Sequence, residues 1–455
     1  MLHRRMAEAL MSADGLASLV RLLVKDDQKS SLAAQALGQI CYRNPLAQVK
    51  AARAGAIRAL VCSLARCQSY KAYALWNILV GQKEHAFIAF REGAAAALLP
   101  LLKASDEELL VNAMGSLSSL LMAEGAREVL GLKGATEALC GFLDEHWPLA
   151  VREQATAALA NLLSGHRENC RKAAYHAAGL QRLMRLFQLA RSRLAENAAA
   201  ALANLLTLGP MLAQDAVDGG ILDYVPGLLE LTARPVQLYG LLANLAYQLP
   251  QLCHEIYVLT PIQRLVDVLK PGEEQAPTAQ LAVMALLANL ASVPAAKARL
   301  LRAGMLKPTA TIIESAVDKT LREHAAIALA NLLENSPESV AKVFLELPDL
   351  PRRLAFLLNN KKTPLASKVQ ENVTRALGLL ASREAARVSV KESGAPEALW
   401  SLLDDQVLAK TAAMGLLNLA LVAKDRDKLL KKGLSVADIK LFMWPSLIPG
   451  PKLGN

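Results

Sequence analysis

Apolar residues recur three and four positions apart, the pattern of helices with one buried face. Leu16, Leu19, Leu22 and Leu23 form an early stripe, and Ala155, Ala158, Leu159, Leu162 and Leu163 a later one. One phrase returns along the chain: Ala158-Leu-Ala-Asn-Leu-Leu163, Ala201-Leu-Ala-Asn-Leu-Leu206, Leu241-Leu-Ala-Asn-Leu-Ala246, Leu286-Leu-Ala-Asn-Leu-Ala291 and Ala328-Leu-Ala-Asn-Leu-Leu333. Taking the Asn as anchor gives a register through Gln39, Asn77, Ser119, Asn161, Asn204, Asn244, Asn289, Asn331, Leu379 and Asn418. Spacings run from 38 residues (Gln39 to Asn77) to 48 (Asn331 to Leu379), averaging about 42, the range of helical repeat arrays.

A second mark follows most anchors: Gly55, Gly93, Gly134, Gly179, Gly220, Gly304, Gly394 and Gly433, usually opening an apolar run. Glycine suits a corner with positive φ. Prolines fall at helix starts, at Pro45, Pro210, Pro250, Pro294 and Pro337 after the anchor and at Pro148, Pro235, Pro277 and Pro364 before it. Each repeat therefore predicts a short first helix, a Gly corner, a second helix, and a longer third helix that carries the anchor. The polar stretch Asn359 to Pro364 predicts a longer loop inside the widest spacing. Residues 433–455 read as an incomplete last repeat or cap, with Trp444 in an apolar tail.

The period, the three-helix unit, the Ala54-Gly-Ala-Ile57 opening and the Ala-Leu-x-Asn-Leu-Leu phrase resemble armadillo repeats, as in β-catenin and importin-α. The resemblance covers nearly the whole chain. It implies an all-α fold, a right-handed α-solenoid of about ten armadillo repeats over residues 1–455, with third helices lining a concave groove that binds extended protein segments. Such units bury their apolar stripes only against neighbouring repeats.

Composition agrees. Hydrophobic residues make up 53% and aromatics 4% of the 455 residues, and the apolar share is mainly Ala and Leu, both strong helix formers. No run approaches the ~20 apolar residues of a membrane span. The opening Met1-Leu-His-Arg-Arg-Met-Ala-Glu has no secretory pattern, so the cytoplasm is expected, with the nucleus left open. Cys41, Cys62, Cys67, Cys140, Cys170 and Cys253 all read as small buried hydrophobes. Phosphate-loop, nucleophile-elbow and metal-ligand motifs are missing, so neither catalysis, a cofactor, a metal nor a small-molecule substrate is expected.

Candidate binding residues follow from the register. On a helix the position seven before the anchor lies about 20° from it. Asn77, Asn161, Asn204, Asn244, Asn289, Asn331 and Asn418 with Asn112, Gln154, Asn197, Gln237, His324 and Asn372 thus share one face per repeat. The amides among them can bond the main chain of an extended segment, or the backbone of a neighbouring repeat. Glu153, Glu196, Glu323 and Glu371, eight before the anchor, are expected in the first turn, complementing the helix dipole. Importin-α-like grooves carry Trp four before the anchor. Here those positions are mostly small or apolar, and Trp76 is one residue before Asn77, about 100° off its face, which argues against an import receptor.

The net charge is +10. Residues 28–83 hold no Asp or Glu, so Lys50, Arg53, Arg58, Arg66 and Lys71 predict a basic surface, joined by Arg182 and Arg185 in a second acid-free stretch, and an acidic protein partner. Nucleic acid is not expected, because aromatics are not interleaved with these cations. The function expected is that of a non-enzymatic scaffold or adaptor. The alternative is an architectural subunit that uses its convex face and ends.

Overall fold

The repeat ending on Asn77 shows how this punctuation becomes structure. Asn44 accepts a hydrogen bond from the Ala47 N–H and so caps the helix Pro45–Arg53, whose first position is a proline. Gly55, at φ 84°, carries the chain through the left-handed region into the second helix, Ala56–Ser63. The third helix, Gln68–Leu79, holds the anchor near its C-terminus. The order repeats, for example as Pro294–Arg302, Leu306–Ser315 and Lys319–Leu333.

A computed structural model describes residues 13–419 apart from 26–27, 65–67, 190–192, 232–234, 271–276, 361–363 and 406. The described residues form helices and no strand. They divide into two compact units that part between Leu241 and Leu242. The expected last repeat, Gly433 and the Trp444 tail lie outside the described residues. Among the described residues no single helix is long and apolar enough to cross a membrane.

Within each unit, consecutive third helices pack side by side. In Leu149–Leu163 the predicted stripe of Ala155, Ala158, Leu159, Leu162 and Leu163 is fully buried, each Leu contributing about 1.5–3 kcal/mol. The C-terminal carbonyls of a helix lack intrahelical partners, and first-helix side chains supply them. Gln48 Nε2 donates to Asn77 O at 2.8 Å and to Cys41 O at 3.4 Å, so one amide joins the ends of two successive third helices. Asn169 Nδ2 donates to Leu162 O at 3.1 Å, and Cys170 Sγ to Leu163 O and Asn204 O. In the second unit, Lys297 Nζ donates to Asn331 O at 2.7 Å and also to Glu334 O. These clips stand eight or nine residues after an anchor.

Three expectations change. A π-type turn over Lys172–His176 moves one corner back a residue, so Ala178, at φ 49°, takes the left-handed position and Gly179 starts the helix. Glu196 lies in the first turn of its helix as described, Arg193–Leu206, whereas Glu153, Glu323 and Glu371 are each fifth in theirs. Cys41, Cys140, Cys170 and Cys253 are buried, but Cys62 is exposed, since Ile57, Leu60, Val61 and Leu64 form the inward stripe of its segment. Cys67 lies outside the described residues. Burial pushes the Cys41 and Cys140 thiols up to about 12 and Cys170 to about 11, so they stay protonated at neutral pH.

Candidate interaction face

The anchor amides follow one rule. Asn204 Nδ2 donates to Ala160 O at 3.0 Å, in the helix of the preceding repeat. Asn289 reaches Ala243 O, Asn331 reaches Ala288 O and Asn418 reaches Gly378 O, each at 2.9 Å. In these four the acceptor is the residue just before the preceding anchor. Asn161 meets the same level through Ser118 Oγ at 2.8 Å. Asn77 departs, being buried and donating to Tyr73 O within its own helix.

A second rung lies seven residues earlier. Asn112 Nδ2 donates to Ser69 Oγ at 3.3 Å and Asn197 Nδ2 to Glu153 O at 3.3 Å, both across repeats. Asn372 bonds Lys368 O in its own helix. Gln154 and Asn244 are half-buried, and Gln237 is exposed. His324 is half-buried, and burial holds its imidazolium below the ordinary range against the opposing pull of Glu323.

One amide hydrogen of most anchors is therefore committed to joining repeats. Each Asn has a second N–H and an acceptor, and among the described residues no donor reaches Oδ1 of Asn161, Asn204 or Asn289. Asn331 differs: its Oδ1 accepts from Arg375 Nη1 at 3.2 Å, while Arg375 Nη2 meets Glu334 Oε2 at 2.5 Å. Beside it Lys368 pairs with Glu323 at 3.2 Å.

The expected basic surface breaks up. Lys50, Arg53, Arg58 and Arg185 are exposed, but all stand on first or second helices, away from the anchors. Arg58 faces Glu92 at 3.6 Å. Lys71 is not on the surface: it is 1% exposed, its ammonium donating to Ser63 O at 3.0 Å and closing the end of the second helix. Arg182 is half-buried, bonding Asp144 at 3.1 Å and Cys140 O at 3.0 Å across repeats. Arg66 lies outside the described residues.

Sequence reasoning missed the apolar side of the face. Leu32 and Tyr70, seven before their anchors, and Val80 and Met122, three after, are 58%, 37%, 44% and 41% exposed. Tyr73 and Trp76 are half-exposed rings laid over glycines of adjacent third helices. A Cβ on Gly38 would come 2.4 Å from Tyr73 Cδ1, and one on Gly115 2.4 Å from Trp76 Cδ2. The signal was there: a glycine inside an anchor helix, one repeat from a large aromatic.

Neither protein-family models nor characterised proteins give a match to this chain. Solved structures do. An engineered protein of known crystal structure is 27% identical, with a TM-score of 0.61 over 89% of this chain and 98% of its own. A designed armadillo repeat protein is 26% identical, with a TM-score of 0.46 over 50% of this chain and 98% of its own. Computationally designed armadillo repeat proteins for modular peptide recognition give 27% identity and a TM-score of 0.44 over 50% and 98%. With three-helix repeats in register and third helices joined anchor to anchor, the chain has an armadillo-like repeat fold, an all-α solenoid of a kind typical of protein-binding scaffolds.

Proposed function

We propose that this chain is a non-enzymatic scaffold that holds an extended segment of a protein partner along the third-helix face of its repeats. The observation that carries this is the pair Asn161 and Asn204. Each is fixed by a bond to the preceding repeat, and each keeps an Oδ1 without a donor among the described residues. Acceptors held in place at the repeat spacing can receive main-chain N–H groups without further ordering cost. The partner segment is acidic, because residues 28–83 contain no carboxylate. Of the cations there, Lys29 and Arg43 stand on or just past an anchor helix and are exposed.

A photo-crosslinking residue in place of Thr207, exposed just beyond Asn204, tests the face against the same residue in place of Arg185 on the second helix Gly179–Gln188. Crosslinking in cells should join partner to the Thr207 position and not to Arg185. The reverse pattern would overturn the proposal and favour an architectural subunit bound through its other face.

A further inference from the structure

We infer that the third-helix face of the first three repeats selects partner segments that combine carboxylates with large apolar side chains. This rests on the proposed use of that face and names the chemistry it would take. On a helix, positions seven and four before the anchor and three after it fall within about 80° of one another. In these repeats Leu32, Tyr70 and Tyr73 fall on that face, Val80 and Met122 are exposed just past the ends of the second and third anchor helices, and the Trp76 ring lies over Gly115 between those helices. Exposed apolar groups gathered on one face mark an interaction site where scattered ones do not.

Charge decides the rest of the partner. Lys29 lies one turn before Leu32 on the helix Gln28–Cys41. The Arg43 guanidinium sits 5.2 Å from the centre of the Tyr42 ring, itself exposed three residues after Gln39. Residues 28–83 contain no carboxylate, although Asp26 and Asp27 precede Lys29 in sequence. Asp106, Glu107 and Glu108, all exposed, open the third helix of the next repeat, Glu107–Leu120. Partner carboxylates therefore lie over the first two repeats and are repelled from the start of that helix, which gives the bound segment a direction. Nucleic acid fits less well, because aliphatic groups surround the rings and this acidic cluster interrupts the positive track a phosphate backbone needs.

The test is selection of a displayed random-peptide library on the purified full chain. Enriched peptides are then labelled with fluorescein and measured by anisotropy against three variants, each first shown to keep the parent's helicity and to remain folded at the assay temperature. Enriched sequences should combine Asp or Glu with Leu, Ile, Phe or Trp. A Leu32→Ser, Tyr70→Ser, Val80→Ser variant should bind them about tenfold or more weakly, the loss expected when central apolar anchors are removed. A Lys29→Glu, Arg43→Glu variant should weaken them and flatten their salt dependence. Enriched peptides without this composition, or bound equally by the first variant, overturn the inference, as does labelled oligothymidylate that binds and displaces them. Peptides that lose affinity only for Asn161→Ala, Asn204→Ala leave the proposed face standing while this inference falls. Enrichment of no peptide removes both.

Discussion

The third-helix faces of the first three repeats and of the repeats ending on Asn331 and Leu379 occupy the same register but are built from opposite chemistry. In the first, Leu32, Tyr70, Val80 and Met122 are exposed around two half-exposed rings. In the second, Arg375 is bound to Glu334 and Asn331, and Lys368 to Glu323, so its charges are met inside the protein. Gln48 and Lys297, by contrast, each donate to the carbonyl of the following anchor, one in each unit. Scaffold and recognition are thus separable: helix ends set the stacking, and the face positions are left to vary with the partner.

The largest expected effect breaks the apolar face from beneath. Gly115→Val places a branched side chain where Trp76 lies and should lower stability by about 2 kcal/mol, as overpacking does, read as a lower denaturant midpoint with a shift in tryptophan emission. Asn204→Ala removes one inter-repeat bond and should cost about 1 kcal/mol by the same denaturation. Arg375→Met, at a partly exposed pair, should cost under about 1 kcal/mol, and the difference from the parent should shrink in high salt.

The smallest effect is a pH dependence confined to the charged face. Burial lowers the folded-state value of His324 below its ordinary 6.5. As pH falls below 6.5 the unfolded chain therefore binds the proton first, so stability declines until the folded imidazole also titrates, and then levels. His324→Gln should flatten that decline in urea midpoints measured across this range.

Much of the fold was legible because repeats write their own punctuation. Pro45, Gly55 and the Ala-Asn-Leu phrase marked helix starts, corners and anchors that the structure places as expected. The partners of the amides were harder to see. Asn204 and Ala160 are 44 residues apart, one period, and only stacking brings them together. Lys71 misled for a related reason. It belongs to an acid-free stretch, yet six residues before Asn77 it points about 120° from the anchor, toward the end of the second helix. Trp76 reads along its own helix, whereas its position and that of Tyr73 are set by Gly115 and Gly38 on the neighbours. Charge counts and single-helix geometry cannot report what the adjacent repeat presents.

The most direct measurement is hydroxyl-radical footprinting, by mass spectrometry, of the full chain alone and in complex with the partner purified from cells. Binding to the third-helix face predicts protection of Leu32, Tyr70, Val80 and Met122. The exposed Met211, Leu345 and Phe356 on first and second helices should remain as reactive as in the free protein. Protection of those three with Leu32, Tyr70, Val80 and Met122 unchanged would contradict it.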